Sequence, residues 1–253
     1  MNLNFIDFQK KDFINHLKKL GLKKDMDIFI HSSLIKFSNI KSPYFLFEAL
    51  KEIVDKNGTI FFPLFTFRKH GNSIFKKMSD NPNSMGSLSN YIWNNYKKDI
   101  DRSNCFIHSY GGYGKNSKIL NNVKIDRSYG RGSFFDLAYK KKIFFISFGL
   151  NLTLSCTQIH HSENLMKVKY KKKIILKRKY EIDGKTKKVN YYYHRKSKSI
   201  ISDFSILEEK LLSKNILKKV NLNDSTYSLA GDISKIQNET IDLMKINPLI
   251  LVK

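Results

Sequence analysis

The sequence predicts an α/β fold, a single domain with a central mixed sheet flanked by helices and with a basic β-hairpin insertion. Short apolar runs alternate along the chain with segments whose apolar residues recur at helical spacing, a pattern typical of α/β domains. An Asp-Gly pair at residues 183–184 separates two strand-like runs and predicts the hairpin. No linker interrupts the chain, so we expect one domain over residues 1–253.

Four elements are predicted in the first quarter of the chain. Residues 8–20 carry an apolar stripe at helical spacing that ends at a glycine, and they predict a helix. The apolar run 27–31 predicts a buried strand. A proline in the first turn predicts a helix over residues 43–54, and the apolar run 59–62, which follows an Asn-Gly turn, predicts a second strand.

Three elements are predicted in the middle of the chain. Ser87 is expected to cap a helix over residues 87–96. The apolar run 142–148 predicts a strand. After a polar stretch, a further helix is predicted that carries His160 and Glu163.

The last third of the chain begins with the basic segment. Residues 170–182 and 186–194 predict the two strands of the hairpin. Helices are predicted over residues 204–214 and 233–245, with a short strand at 218–222 between them.

The charge is the most unusual property of the composition. The chain has 46 Lys and Arg against 22 Asp and Glu, a formal net charge of +24. Residues 167–198 hold fourteen Lys or Arg and two acids, which is half of that net charge. Such a segment attracts phosphates and anionic sugars and repels polycations, unless it is only a solvated face.

Several protein classes are excluded by simple features of the sequence. With 41% hydrophobic residues the chain is not intrinsically disordered. Its apolar runs are too short to cross a bilayer, and the charged N-terminus does not resemble a signal peptide. The two cysteines, Cys105 and Cys156, are too few for a disulfide framework. We therefore expect a cytoplasmic protein without a bound metal.

Two segments are candidates for chemistry. His160 and Glu163 lie three residues apart on the predicted helix, where a carboxylate can orient an imidazole for general-base work; the alternative is a surface histidine beside a solvated acid. The turn His31-Ser32-Ser33 follows a predicted strand, a common place for ligand contacts in α/β folds, although it can equally be a structural turn. Dinucleotide, P-loop and nucleophile-elbow motifs are absent from the sequence.

The order of six short motifs resembles the antibiotic N-acetyltransferases, whose type members are the aminoglycoside 3-N-acetyltransferases. The resemblance runs from about residue 25 to residue 170. The motifs are HSSL (31–34), GTIFFPLFTF (58–67), MGSLSNYIW (85–93), RSNCFIHSYGGYG (102–114), GSFFDL (132–137) and TQIHHSE (157–163). The resemblance implies an acyltransferase that uses acetyl-CoA as its co-substrate.

The resemblance also implies roles for particular residues. His160 would be the catalytic base and Glu163 its catalytic partner. The implied cofactor contacts are His31, Ser32, Ser33, Leu34, Met85, Gly86, Arg102 and Ser109. The implied acceptor contacts are Thr66, Phe67 and Thr157. The sequence departs from the family pattern at Phe106, where a proline is usual.

The implied mechanism is direct transfer of the acetyl group from the thioester to an amine, with His160 taking the amine proton. A covalent route through Cys156 is the alternative. Because the basic hairpin should repel a polycation, we expect the acceptor to be a small-molecule amino sugar, such as one carried on a nucleotide for surface-polysaccharide biosynthesis.

Two other functions stay open at this point. The first is an aminoglycoside 3-N-acetyltransferase that confers antibiotic resistance. The second belongs to another class, a nucleic-acid-binding protein that uses the basic ribbon and Tyr191, Tyr192 and Tyr193. The sequence leaves the oligomeric state open, with a homodimer among the options.

Overall fold

Helices and strands alternate along most of the chain in the computed structural model, which describes residues 5–66, 74–82, 85–182 and 184–253. The strands are β1 (Asp27–Ser32), β2 (Thr59–Pro63), β3 (Ile74–Phe75), β4 (Ile100–Arg102), β5 (Tyr110–Gly114), β6 (Phe144–Phe148), β7 (Lys171–Ile182), β8 (Lys185–Lys196), β9 (Leu217–Asn221) and β10 (Tyr227–Asp232). The helices are α1 (Lys10–Lys19), α2 (Ser42–Val54), α3 (Ser87–Tyr96), α4 (Phe134–Lys140), α5 (Leu152–Ser155), α6 (Ile159–Leu165), α7 (Ser205–Ser213) and α8 (Ile233–Ile246), with a 3₁₀ helix at Ser117–Asn122.

The main sheet has seven strands in the order β4–β5–β2–β1–β6–β10–β9. Its centre is parallel, because β1 pairs in parallel with both β2 and β6. The outer strands β5, β4, β10 and β9 are each antiparallel to the neighbour on their inner side. The carboxyl ends of the three parallel strands therefore meet at one edge of the sheet, which is the usual place for a ligand site in such folds.

Apolar side chains cover both faces of this sheet. In β1 the side chain of Phe29 belongs to one buried cluster, and those of Ile28 and Ile30 belong to the other, as expected when successive residues of a strand point to opposite faces. Helices α1, α2 and α3 pack on the Ile28 side, and α4 to α8 contribute to the Phe29 side. Because both faces are covered, the middle residues of the central strands are mostly apolar.

The second sheet is small and contains the hairpin. β7 pairs antiparallel with β8 over twelve residue pairs, and β3 adds to β7 in parallel. This sheet supplies basic side chains on strands that begin and end beside α6. The predicted basic β-hairpin insertion is confirmed in this form.

The predicted fold class is confirmed: a mixed central sheet is flanked by helices. The bounds of most predicted elements hold to within two residues, but the elements that were not predicted are β3, β4, β5, β10, α4, α5 and the 3₁₀ helix. β5 (YGGYG) is rich in glycine, yet it is a strand whose Gly111 lies against the side chains of Phe62 in β2 and of Leu64 just after it. The predicted cap at Ser87 is wrong, because Ser87 is the first helical residue and Gly86 precedes it as the N-cap.

Among the residues that the structure describes, four histidines lie in the interior of the fold. Their exposed fractions are 5% for His16, 6% for His31, 8% for His108 and 1% for His161. Each is held by a polar contact or packed against rings; His16 Nε2, for example, lies 3.0 Å from the hydroxyl oxygen of Ser228.

Within the described ranges, no helix is long and apolar enough to span a bilayer.

Candidate active site

The candidate site lies where the parallel strands end. His31, near the end of β1, places its Nε2 atom 3.3 Å from the hydroxyl oxygen of Thr157, in the connection between α5 and α6. Thr157 is partly exposed. The turn after β1 and the segment leading into α6, which are more than 120 residues apart in sequence, thus come together as the parallel order of β1 and β6 requires.

His160 and Glu163 project from the same face of α6. The Nδ1 atom of His160 donates to Oε2 of Glu163 at 2.5 Å. A proton on Nδ1 leaves Nε2 as the basic nitrogen of the ring. The Glu163 side chain is fully buried, whereas that of His160 is 28% exposed. The predicted pair is therefore formed, with its imidazole at the accessible end.

Two further residues hold the Glu163 carboxylate. The hydroxyl of Tyr170 donates to Oε1 at 2.9 Å, and the Lys171 ammonium donates to Oε2. Lys171 Nζ also lies 3.2 Å from Nδ1 of His160, and its side chain is only 10% exposed. Three donors thus converge on one buried carboxylate, which removes the cost of burying it without partners.

These contacts change the pKa of each member of the cluster. Burial lowers the pKa of His160 below its ordinary value; the hydrogen bond to Glu163 opposes this shift and the Lys171 charge adds to it. Burial acts to raise the pKa of Glu163, but the hydrogen bond with His160 and the charges of His160 and Lys171 outweigh it and lower the pKa to about 2. The site therefore holds an ionised carboxylate beside a neutral imidazole at neutral pH.

Aromatic rings position the imidazole. The centroids of the Tyr129 and Phe204 rings lie 5.7 Å and 5.8 Å from that of His160, and both rings are edge-on to it. The neighbouring His161 points into the core, where its Nδ1 accepts from the Gly130 amide at 3.0 Å. His161 thereby tethers the loop that carries Tyr129.

Two glycines surround the turn after β1. Gly86 has φ +93°, and a Cβ there would lie 2.9 Å from the carbonyl oxygen of Ser32. Gly149 has φ +70°, and a Cβ there would lie 2.6 Å from the carbonyl oxygen of Ser33. Only glycine allows this approach. The predicted cofactor residues 31–34 and 86 are thus brought together.

The predicted cofactor residues in and beside this turn differ in how far they are buried. Met85 is partly buried against the core beneath the sheet edge. Leu34 is buried, while Ser32 and Ser33 are half-buried. The amide of Ser33 donates to the carbonyl of Phe148, so this amide is already used within the protein. The serine side chains are the polar groups that this turn offers to a ligand.

Arg102 and Ser109 are not placed to contact a cofactor directly, which corrects that expectation. Both are fully buried. The Arg102 guanidinium donates to the carbonyls of Leu64, Lys77 and Asp80 at 2.6 to 2.9 Å and to the Ser109 hydroxyl. Ser109 in turn donates to the Leu64 carbonyl. They hold together the loops that follow β2 and β3.

The predicted acceptor contacts also need correction. Thr66 is 1% exposed, and its hydroxyl donates to the Phe106 carbonyl, so it supports the loop and is not open to a ligand. Phe67 lies outside the described residues. Of the predicted acceptor residues, Thr157 is the one found beside His160 with partial exposure.

A cleft of about 530 Å³ adjoins the His160–Glu163 pair. It lies between α6, the loop before α4 and the start of the hairpin. Its charged lining comprises four cations and one acid, and that acid is Glu163, which is already paired with Lys171. The lining residues are Arg127, Tyr129, Glu163, Asn164, Lys167, Val168, Lys171, Lys173, Tyr192 and His194.

The three consecutive tyrosines of the hairpin have different environments. Tyr191 is fully buried, and its hydroxyl lies 3.4 Å from the Cys105 sulfur. Tyr193 is partly buried against the core. Tyr192 lines the cleft, with the Lys173 ammonium 4.2 Å from its ring centroid. A strand alternates its side chains between its two faces, so the three tyrosines do not form one continuous surface for stacking.

A family model described as aminoglycoside 3-N-acetyltransferase matches residues 29–245, which is more than four-fifths of the chain. The chain belongs to this family. Membership confirms the expected N-acetyltransferase that uses acetyl-CoA. No curated protein sequence matches the chain significantly.

Among the described residues, no group of three His, Cys, Asp or Glu side chains is arranged to hold a metal ion.

Solved structures share the fold of this aminoglycoside 3-N-acetyltransferase family member at low sequence identity. The YokD protein from Bacillus subtilis is 20% identical, with a TM-score of 0.79 over 97% of this chain and 96% of that one. AAC-IIIb in a binary complex with CoASH is 15% identical, with a TM-score of 0.78 over 94% and 97%. AAC-VIa bound to sisomicin is 15% identical, with a TM-score of 0.78 over 95% and 98%.

Two residues that contact the His160–Glu163 pair of this N-acetyltransferase were not predicted from the sequence. Tyr170 and Lys171 reach Glu163 only because β7 starts beside α6. In the sequence, Lys171 is one of many lysines in a basic segment. No local pattern marks it, since its partner is set by how the hairpin packs.

Proposed function

We propose that this chain transfers the acetyl group of acetyl-CoA directly to a primary amine, with His160 as the catalytic base and Glu163 as its partner. The observation that carries the proposal is the His160–Glu163 pair, in which Nδ1 donates to a buried carboxylate at 2.5 Å. This hydrogen bond orients the ring and leaves Nε2 to accept a proton.

The proposed transfer is balanced in atoms and protons. The amine nitrogen attacks the thioester carbonyl, a C–N bond forms and the C–S bond breaks. Nε2 of His160 takes a proton from the amine, and the buried carboxylate of Glu163 stabilises the imidazolium that results. The imidazolium then returns its proton to the coenzyme A thiolate, so the base is neutral for the next cycle.

The turn after β1 is the proposed place for the thioester arm of the cofactor. Ser32 and Ser33 are half-buried there, and His31 contacts Thr157, which is three residues before His160. A chain entering along this turn would therefore end beside the base. The complex of AAC-IIIb with CoASH supports a coenzyme A site in this fold.

A covalent route through Cys156 is disfavoured by its surroundings. The side chain is buried, and burial raises the pKa of its thiol well above the ordinary value. A thiol in that state supplies little thiolate at neutral pH. Direct transfer needs no nucleophilic residue of the protein.

For the acceptor, we propose an aminoglycoside, because the family description and the complex of AAC-VIa with sisomicin both support this class. One observation favours a second candidate, an amino sugar that carries an anionic group. The cleft beside the His160–Glu163 pair is lined by the cations Arg127, Lys167, Lys171 and Lys173. These charges would repel a polycation.

A panel of acceptors separates the two candidates. Release of thiol from acetyl-CoA is followed with aminoglycosides such as gentamicin and sisomicin and with nucleotide-linked amino sugars. The proposal expects turnover with an aminoglycoside. Turnover confined to the nucleotide-linked amino sugars would establish the second candidate, and no thiol release with any amine would contradict the transferase proposal.

Variants of the cleft provide an independent readout in the same assay. Lys167→Met and Lys173→Met each remove one charge from the cleft. For a polycationic acceptor we expect the KM to fall by about threefold to tenfold, and for an anionic acceptor we expect it to rise by a similar factor. The matched control is Lys172→Met, because Lys172 is exposed on the same strand and does not line the cleft.

A further inference from the structure

The buried carboxylate of Glu163 accepts from both His160 and Lys171. The Lys171 ammonium donates to Oε2, the same oxygen that accepts from His160, and Nζ lies 3.2 Å from Nδ1 of the imidazole. The side chain of Lys171 is 10% exposed and that of Glu163 is fully buried. An ammonium so enclosed needs a counter-charge, and this carboxylate is the one bound to it.

We propose that Lys171 is a positioning residue that neutralises the Glu163 carboxylate and thereby keeps His160 uncharged and ready to accept a proton at neutral pH. The proposal rests on the role of His160 as the base in acetyl transfer. It adds a third residue to the predicted pair, one that acts through Glu163 and the imidazole.

The charge balance of the cluster explains this effect. With Lys171 charged, Glu163 ionised and His160 neutral, the three groups have no net charge. A proton added to His160 would leave one uncompensated positive charge in a buried site, which is unfavourable. Without Lys171, the protonated imidazole and the carboxylate would form a neutral pair, and the imidazolium would be favoured. Lys171 therefore biases the histidine toward its basic form.

Other groups around His160 do not supply this balance. From the end of β8, Lys196 also acts to lower the pKa of His160, but its ammonium donates to the Ser202 hydroxyl at 2.8 Å. Tyr170 donates to the second oxygen of Glu163. The Tyr129 and Phe204 rings carry no charge at neutral pH. Lys171 is the cation within hydrogen-bond distance of the pair among the residues the structure describes.

The same arrangement assists the second half of the transfer. The imidazolium that forms when His160 takes the amine proton lies beside the Lys171 ammonium, so it is a stronger acid than an isolated His–Glu pair would produce. A stronger acid delivers its proton to the departing thiolate more readily. Lys171 is thus expected to shorten the lifetime of the His160 imidazolium, while it makes the neutral imidazole a weaker base.

The kinetic test compares Lys171→Met, Lys171→Arg and the control Lys172→Met. Lys172 is the next residue of the same strand, and it is exposed. The measured quantity is the pKa of the acidic limb of the pH profile of kcat/KM, recorded between about pH 5 and 9 with thiol release as readout. We expect this pKa to rise by about one unit or more in Lys171→Met and to stay near the wild-type value in the other two. An unchanged limb in a folded Lys171→Met protein would overturn the proposal, since a purely structural ion pair would not move it.

A second measurement needs no turnover. The Cε1 proton of His160 is titrated by NMR in the wild-type protein and in Lys171→Met, and its resonance is assigned with His160→Gln. The proposal expects a pKa below about 6.5, the value of an unperturbed histidine, in the wild type and a higher pKa in Lys171→Met. A wild-type pKa above about 6.5 would overturn the proposal even if Lys171→Met failed to fold. If the wild type releases no thiol with any amine, the transferase proposal fails, while the difference in this pKa between the wild type and Lys171→Met still decides the role of Lys171, because burial alone also lowers the pKa of His160.

Discussion

His160→Ala is expected to lower kcat by about 10²- to 10⁴-fold, the usual contribution of a positioned general base. A neutral amine that attacks the thioester must lose one proton as the C–N bond forms, and the Nε2 atom of His160 is the basic nitrogen at the accessible end of the pair. Alanine removes it without filling the space. Thiol release from acetyl-CoA at saturating acceptor measures the effect.

Binding of coenzyme A separates a lost base from a lost fold. The candidate cofactor turn at residues 31–34 does not contact the His160 ring, so we expect the Kd of coenzyme A, measured by calorimetry, to change by less than about threefold. Cys156→Ala serves as the comparison, because a buried cysteine with no covalent role should leave kcat within about threefold. Unchanged turnover in His160→Ala would contradict the assignment of the base.

Glu163→Gln is expected to reduce both activity and stability. The amide is nearly the same shape as the carboxylate, but it carries no charge to stabilise the imidazolium, and we expect kcat/KM to fall by about 10²-fold or more. The same change leaves the Lys171 ammonium buried without a counter-charge. Breaking a buried ion pair by removing one partner costs about 3–5 kcal/mol of unfolding free energy.

The double variant Glu163→Gln/Lys171→Met separates these two effects. Methionine removes the unpaired charge and keeps most of the side-chain volume, so the free energy of unfolding should recover by more than half of the loss in urea denaturation. Activity should not recover, because the imidazolium still lacks its carboxylate. Recovery of activity together with stability would mean that Glu163 has only a structural role.

The His160–Glu163 pair and the turn at residues 31–34 could be predicted because local signals mark them. A helix brings residues three apart to one face, and the end of a strand in a parallel sheet is where ligands bind. Both features depend on short stretches of chain, which is the range over which sequence patterns are informative. The same range accounts for the close agreement on the bounds of helices and hairpin strands.

The burial of Arg102 and Thr66 could not be predicted from the sequence. Arg102 ends β4 and Thr66 follows β2, and nothing in the local sequence indicates that these polar residues are enclosed by segments from elsewhere in the chain. Arg102 is satisfied by three backbone carbonyls of the loops after β2 and β3, and these partners exist only after the strands have paired. The role of Lys171 was missed for the same reason, since its partner lies on α6 and the lysine begins β7.

The four buried histidines make the protein vulnerable to acid. Burial lowers the pKa of His16, His31 and His161 to about 4 and that of His108 to about 3, whereas in the unfolded chain a histidine titrates near about 6.5. As the pH falls below that value, these histidines become protonated in the unfolded chain but stay neutral in the folded protein. Each such histidine weakens the fold by up to about 1.4 kcal/mol per pH unit, so the four together approach about 5 kcal/mol per unit. A typical domain has only about 5–15 kcal/mol in total, so mild acidification should remove a large part of the free energy of unfolding of this protein.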